Sequence, residues 1–139
     1  MNRIIPYLLV KNADKAIALY KELFGFELLS KTPFTKEIGK KHKFPDNFNY
    51  EKSIMHAELR LGNSIIYLSD DFSNRPDVKH RVEIVLNVDT EEQIKEIYGK
   101  INEMKFPIVM ELQKTFWGAL YCRFTDSFGI GWHINYEFK

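Results

Sequence analysis

The last strand-like run of the chain, "WHINYEF" at 132–138, carries a histidine among alternating side chains. Successive side chains of a strand point to opposite faces, so Trp132 and Ile134 should share an apolar face that packs on a helix. His133 lies with Asn135 on the other, polar face. An imidazole in that position can bind a metal ion, transfer a proton or contact a substrate. His133 is therefore the centre of a candidate site.

The same alternation assigns further polar side chains to the face of His133. In "MHAELRL" and "ALYCRF" apolar and polar residues alternate, which predicts one core row and one polar row on each strand. If the polar rows line a common concavity, its lining is His56, Glu58, Arg60, Tyr67, Glu83, Tyr121, Arg123 and His133. Tyr7 and Trp117 add flat aromatic surface to this set.

These residue types favour acid–base chemistry and the binding of a small, partly aromatic or anionic organic molecule. A carboxylate next to an imidazole is a common acid–base pair, so the catalytic candidates are Glu83 or Glu58 with His133. Arginine binds anionic groups, and aromatic rings contact flat apolar ones. The substrate-binding candidates are Tyr7, His56, Arg60, Tyr67, Trp117, Tyr121 and Arg123.

Each candidate also has a purely structural interpretation. His133 could hydrogen-bond to Glu83 across the sheet without any ligand, because buried polar groups usually have a protein partner. His56 and Glu58 could form a cross-strand network with Arg60 and Arg123. Trp117 could anchor a core or a subunit contact. The residues alone leave both interpretations open.

Composition restricts the class of protein and its partners. The chain has 139 residues, which suits one domain with a sizeable core, and its net charge is +1. A net charge so close to zero does not indicate a basic surface, so we do not expect nucleic acid as a partner. The single cysteine, Cys122, cannot form an internal disulfide, which favours a reducing cytoplasm. The apolar run "IIPYLLV" is too short to span a membrane, so we expect a cytoplasmic protein with no membrane partner.

Local signals predict two series of elements, each a strand, a helix and three strands. The first helix should be capped by Asn12 or Asp14 and the second by Thr90 or Asp89. Residues 32–52 are polar and contain two prolines, which predicts a long loop with an embedded turn. The predicted strands are Arg3–Val10, "FELLS", "SIMHAELRLG", "NSIIYLSD", "RVEIVLNV", "FPIVM", "GALYCRFTD" and "GIGWHINYEF".

An offset of 78 residues aligns the two series. It places Ala16, Leu19, Tyr20 and Leu23 of the first helix on Ile94, Ile97, Tyr98 and Ile101 of the second. Each set has the spacing of one helical face. We expect module one at about 1–70, a linker at about 71–80 and module two at about 81–139. Together they predict an α+β fold with a curved, cup-shaped mixed sheet and helices on its outer face.

This duplication, with "ALYKELFGFEL" after the first strand and "DSFGIGWHI" in the last hairpin, resembles the vicinal oxygen chelate superfamily. That superfamily includes glyoxalase I, extradiol dioxygenases, and fosfomycin- and bleomycin-resistance proteins. Five motifs in order are similar to its PhnB-like branch, also labelled a 3-demethylubiquinone 3-methyltransferase domain: "PYL", "MHAEL", "LSD", "TFWGALY" and "DSFGIGW". The resemblance implies a single glyoxalase-like domain, residues 1–139, commonly paired as a homodimer. The sequence has no glycine-rich cofactor loop, so methyl transfer is not expected.

In metal-using members of this superfamily, four strands each supply one ligand, typically His, Gln or Glu. The resemblance places these positions at Ile5, Tyr67, Glu83 and His133. Isoleucine has no lone pair, and a phenol binds divalent ions poorly until it loses its proton. We therefore expect no cofactor. A divalent metal, if one binds, would be held by Glu83, His133 and His56.

The combined expectation is a PhnB-like protein that binds a small organic molecule in its cup without the usual metal, as a binding protein or a metal-independent enzyme. Two alternatives stay open: a metal-dependent lyase or transferase of the glyoxalase or fosfomycin-resistance kind, and a drug-sequestering protein without catalysis. The aromatic residues of the long loop and the "TFWG" run predict a homodimer with a buried aromatic interface.

Overall fold

The structure is a computed structural model that describes residues 3–72 and 82–139. The chain divides into two compact units, one within residues 1–74 and one within 75–139. The described part of module one is 3–72, and that of module two is 82–139. Residues 73–80 of the predicted linker lie outside the described residues. Arg81, the first residue of the strand predicted after the linker, also lies outside them.

Both modules contain the predicted series of elements, so the α+β class is confirmed. Module one contains β1 (Tyr7–Val10), α1 (Ala13–Phe24), β2 (Glu27–Thr32), α2 (Lys36–Lys41), β3 (His56–Leu61) and β4 (Ser64–Asp70). Module two contains β5 (Ile84–Asn87), α3 (Glu91–Glu103), β6 (Ile108–Lys114), β7 (Ala119–Thr125) and β8 (Gly131–Glu137).

Each module forms a four-stranded mixed sheet of the same topology. The strand order is β1-β4-β3-β2 in module one and β5-β8-β7-β6 in module two. In both, the first strand runs parallel to the last, and the other pairs are antiparallel. The register pairs Tyr7 with Tyr67 and Val85 with His133. These pairs are therefore topological counterparts, which extends the sequence repeat to the sheets.

The two long helices begin at the predicted caps. The Asn12 side chain accepts a hydrogen bond from the Lys15 amide at 3.2 Å, and α1 ends at Gly25 with a left-handed φ of 82°. Thr90 caps α3 in a reciprocal capping box with Gln93. The α3 residues buried against β7 and β8 are Ile94, Ile97 and Ile101.

The buried face of α1 differs from the predicted one. Its buried residues are Ala13, Ala16, Ile17, Tyr20 and Leu23. Leu19 is only half-buried, because it lies at the margin of this stripe, and Ile17 takes its place. The counterpart of Ile17 in α3 is the exposed Lys95, so the helix repeat is less complete than the sequence offset indicates.

The segment 32–52, predicted as a long loop with an embedded turn, contains the short helix α2 instead of a turn alone. Thr35 caps this helix by accepting from the Ile38 amide at 3.2 Å. Gly39 is buried where a β-carbon would collide with the Tyr50 ring. Four phenylalanines before and after α2 contact one another, with ring centroids 4.5–6.2 Å apart: Phe34, Phe44, Phe48 and Phe72. Aromatic contacts therefore stabilise a helix that is too short to have a clear periodicity.

Two strand boundaries also differ from the prediction. The first strand begins at Tyr7 rather than Arg3, after Pro6, which has no N–H to donate to a ladder. The strand predicted from "FPIVM" begins at Ile108 and continues to Lys114 along β7. The part of β6 beyond the predicted strand, residues 111–114, contains mostly polar residues. The length of β6 is therefore determined by its pairing with β7 rather than by hydrophobic alternation.

Each sheet has one apolar face and one polar face, with the predicted alternation. In module two the apolar row of β7 is buried, and it includes Cys122. Burial raises the pKa of the Cys122 thiol to about 12, so this thiol remains protonated and unreactive. Within the described residues, no helix is both long enough and apolar enough to cross a membrane.

Candidate functional site

The polar face of module two brings together four of the predicted site residues. Arg123 of β7 lies directly opposite His133 of β8, and Tyr121 lies two residues away on the same face. Val85 of β5 pairs with His133, and Glu83 precedes it by two residues on that face. Strands β5, β8 and β7 therefore place all four polar side chains beside one another.

Three hydrogen bonds join these four side chains, and we call them the polar chain of module two. The Tyr121 hydroxyl lies 2.5 Å from His133 Nδ1, and His133 Nε2 lies 2.8 Å from Glu83 Oε1. Arg123 Nε donates to the same oxygen of Glu83 at 2.7 Å. The hydrogen bond between His133 and Glu83 that the structural interpretation of His133 requires is therefore present.

The carboxylate determines which ring nitrogen of a neutral His133 carries the hydrogen. Ionised Glu83 can only accept, so Nε2–H donates to it and Nδ1 is left as an acceptor. The Tyr121 hydroxyl then donates to Nδ1, which leaves its own oxygen lone pairs free for a ligand donor. The geometry forms a proton path from Tyr121 through the imidazole towards Glu83.

Charge within the polar chain is balanced. Burial alone would raise the pKa of the Glu83 carboxyl, but hydrogen bonds from Arg123 and His133 outweigh it and hold the pKa below the usual 4.5. The hydrogen bond to Glu83 raises the pKa of the Arg123 guanidinium. Burial raises the pKa of the Tyr121 hydroxyl, so the phenol keeps its proton at neutral pH. Arg123 is therefore neutralised by its own module.

A glycine outside the set of predicted site residues determines where Glu83 can lie. A β-carbon at Gly131, the first residue of β8, would collide with the Glu83 carboxylate. Only a residue without a side chain leaves space for the carboxylate beside this strand. The glycine two residues before His133 was the sequence signal for this close contact, because a glycine within a strand often marks a place where a neighbouring group approaches the backbone.

The "DSFGIGW" motif forms the turn that holds β7 and β8 together. Asp126 is buried and accepts hydrogen bonds from the amides of Phe128 at 2.8 Å and Ile130 at 3.0 Å. Its second oxygen accepts from the Trp132 indole at 2.9 Å. The motif therefore fixes the register that places His133 opposite Arg123, and Asp126 and Trp132 have a structural role.

Trp117 extends the polar chain with an aromatic surface. It lies in the turn between β6 and β7, and its ring is 5.8 Å from that of Tyr121 in an edge-to-face arrangement. Its neighbour Phe116 is almost fully exposed, and Trp117 itself is about half-exposed. Within module two, Trp117 is therefore a surface residue beside the polar chain and not a core anchor.

The polar face of module one carries an aromatic group instead of an ion pair. Tyr7 hydrogen-bonds to His56 Nδ1 at 3.2 Å, and the rings of His56 and Tyr67 are 4.6 Å apart. Glu58 is the cross-strand partner of Tyr67 on the same face. Within this module, Arg60 pairs with Glu27 of β2 at 2.6 Å and not with Glu58.

The residues at the four metal-ligand positions do not form a ligand set. Ile5 has no donor atom, and the Tyr67 ring packs against other aromatic rings. Both ring nitrogens of His133 are engaged, one by Tyr121 and one by Glu83. His56, the alternative ligand, uses its Nδ1 to bond Tyr7. In the described part of the chain, no three His, Cys, Asp or Glu side chains are grouped to hold a metal ion.

Fold and site together define the class of protein. The chain belongs to the Glyoxalase/Bleomycin resistance protein/Dioxygenase superfamily, whose family model matches residues 2–134. Protein YjdN of Escherichia coli (strain K12) is 30% identical to it over 141 residues, 94% of this chain and 92% of that protein.

Solved structures share the same fold over nearly the whole chain. Protein PA1353 from Pseudomonas aeruginosa is 29% identical with a TM-score of 0.77, and the match covers 99% of this chain and 98% of that one. The putative 3-demethylubiquinone-9 3-methyltransferase PhnB protein from Bacillus cereus is 19% identical with a TM-score of 0.76, over 97% and 99% of the two chains. The neighbours therefore include a protein of the PhnB-like branch.

Proposed function

We propose that this chain binds a small, partly aromatic organic molecule at the polar face of module two, without a divalent metal. The observation that carries the proposal is the chain of hydrogen bonds from Tyr121 through His133 to Glu83. It presents one free acceptor, the Tyr121 oxygen, beside the half-exposed ring of Trp117. A few directed polar groups next to an aromatic surface are typical of small-molecule sites.

The polar chain supports general base catalysis on a hydroxyl-bearing ligand. A ligand hydroxyl that donates to the Tyr121 oxygen could transfer its proton there, while the original Tyr121 proton passes to His133 Nδ1. The resulting imidazolium would be stabilised by Glu83 on the opposite nitrogen. The hydrogen bonds already place each of the three groups where this transfer requires it.

The charge balance argues for a ligand that is not strongly anionic. Arg123 is committed to Glu83, and Arg60 is committed to Glu27. An anion would have to compete with these carboxylates for either guanidinium. The aromatic part of the expected ligand is therefore better supported than the anionic part.

Metal-dependent lyase or transferase chemistry is not part of the proposal. A metal ion at His133 would have to displace Tyr121 or Glu83 from the imidazole, and module two offers no third ligand among its described residues. The Bacillus cereus protein carries methyltransferase in its name, and we do not extend that activity to this chain, which lacks a glycine-rich cofactor loop. A cytoplasmic location is proposed from the single, buried thiol.

A pair of matched fragments tests the proposal. Phenol can donate a hydrogen bond to Tyr121, whereas anisole has the same ring and no donor. In an NMR titration we expect both to shift the Trp117 indole signal, with phenol binding several-fold more tightly.

The Tyr121→Phe variant should remove the preference for phenol and leave anisole binding unchanged. Tyr136→Phe, on the opposite face of β8, is the control and should keep the preference. Fragments that shift no signal of the polar face, or a preference for phenol that survives in Tyr121→Phe, would refute the proposal.

A further inference from the structure

A row of three side chains crosses the polar face of module one. The register pairs Tyr7 of β1 with Tyr67 of β4, and Tyr67 with Glu58 of β3. Neighbouring strands therefore present two phenol rings and a carboxylate side by side. His56, two residues before Glu58 on the same face, bonds the Tyr7 hydroxyl through Nδ1. We call Tyr7, His56 and Tyr67 the aromatic group of module one.

The three rings of the aromatic group are inclined to one another. Ring centroids are 5.8 Å apart for Tyr7 and Tyr67, 4.6 Å for His56 and Tyr67, and 5.7 Å for Tyr7 and His56. The angles between ring planes range from 59° to 83°. Inclined rings leave part of their negative π-faces open instead of covering one another as in a stack. Tyr7 is 47% exposed, so a ligand can reach the group.

The carboxylate beside these rings belongs to Glu58. Among the described residues, Glu58 has no hydrogen bond or ion pair, although it is only half-exposed. The nearest arginine along β3, Arg60, is bonded to Glu27 instead. In module two, the position that corresponds to Glu58 holds Arg123, which neutralises Glu83. The polar face of module one therefore has a negative group next to π-surfaces, whereas that of module two is balanced.

We propose that Glu58 and the aromatic group of module one form a binding site for an organic ammonium ion. Ring faces attract a cation through their quadrupoles, and a carboxylate at the rim adds a direct ionic contact. A methylated ammonium fits better than a metal ion, because the rings offer surface and few donor atoms. This site uses no residue of the polar chain of module two, so either proposal can fail without the other.

Choline and its neutral isostere 3,3-dimethylbutan-1-ol test the charge requirement on the unmodified chain. Both have the same shape, and only choline carries a positive charge. An NMR titration should show saturable shifts of the Tyr7 and Tyr67 ring signals with choline and binding at least about fivefold weaker with the neutral alcohol. Equal binding of the two compounds, or no saturable shift with choline, would overturn the proposal.

Variants then assign the charge to one carboxylate. Glu58→Gln should weaken choline binding about five- to tenfold and leave the neutral alcohol unaffected. Glu27→Gln combined with Arg60→Gln removes the neighbouring ion pair without freeing an arginine beside Glu58, and should leave choline binding unchanged. If this double variant weakens choline binding as much as Glu58→Gln, the effect does not come from the charge of Glu58 and the proposed site is wrong.

Discussion

At the scale of single residues, Glu83 determines the geometry of the polar chain. One of its oxygens accepts from both Arg123 and His133, and its side chain is only 11% exposed. Removal of the charge would leave the Arg123 guanidinium and the His133 imidazole without an ionised acceptor. The charge of this one carboxylate therefore determines both the tautomer of His133 and the neutrality of Arg123.

Glu83→Gln should change how stability depends on pH. The pKa of Glu83 in the folded protein is below 4.5, so its contribution to stability is present above the unfolded value of about 4.5 and is lost as pH falls through the folded value. Urea unfolding should show the variant less stable than the parent at pH 7, with a gap that narrows below pH 4.5. A gap that stays constant or widens at low pH would contradict the charged pairing.

Gly131→Ala tests the close approach of β8 to Glu83. The added methyl group collides with the carboxylate, and we expect a loss of about 1–3 kcal/mol in the free energy of unfolding. Gly99→Ala is the control: its β-carbon meets nothing within 4 Å in the exposed part of α3, so it should stabilise by about 0.5–1 kcal/mol. Thermal unfolding of both variants measures the two changes in the free energy of unfolding. Equal changes in the two variants would show that the methyl group at position 131 does not collide with Glu83.

At the scale of elements, the β7–β8 hairpin carries the site, and Asp126 fixes its turn. This buried carboxylate accepts from two backbone amides and from the Trp132 indole. Because the hairpin register places His133 opposite Arg123, a change in this turn would alter the polar chain without touching it.

Asp126→Ala should destabilise the chain by about 2–4 kcal/mol, because three donors lose their acceptor in a buried turn. Ser127→Ala changes the exposed neighbouring residue and should cost less than about 0.5 kcal/mol. Denaturant unfolding gives both values. If Asp126→Ala is as stable as Ser127→Ala, the turn does not depend on this carboxylate.

The sequence predicted the elements that depend on local signals and missed those that depend on tertiary contacts. The caps at Asn12 and Thr90 follow from side chains next to the helices, and strand alternation was enough to place Tyr121, Arg123 and His133 on one face. Helix α2 was missed because aromatic contacts stabilise it. The partner of Arg60 was also missed, since its pairing with Glu27 depends on the register between β2 and β3.

At the scale of the whole molecule, the two modules share a topology and differ in the chemistry of their polar faces. Counterpart positions hold Tyr67 and His133 on the last strands, and Glu58 and Arg123 on the third. One face therefore carries rings beside a carboxylate that has no ion pair within residues 3–72 and 82–139, and the other carries a neutral ion pair with a proton path. The repeat conserves the scaffold while the side chains on it determine the ligand.

We predict a homodimer that buries the exposed Phe116 of the turn between β6 and β7. Phe116 is 97% exposed within the single chain, and aromatic residues are enriched in subunit interfaces. Light scattering at micromolar concentration should give twice the monomer mass, and Phe116→Ser should shift it towards the monomer. A monomeric parent, or a Phe116→Ser variant that assembles normally, would contradict this interface.

The most direct test of the metal-free polar chain is a zinc titration of protein without a histidine tag, followed by long-range ¹H–¹⁵N spectra of the His133 ring at pH 7.5. Because Tyr121 and Glu83 occupy both nitrogens, the spectra should show hydrogen on Nε2 and an unprotonated Nδ1, unchanged by one equivalent of zinc. A stoichiometric shift of the His133 signals that saturates at one zinc per chain would show that the imidazole is a metal ligand, and it would contradict the proposed site.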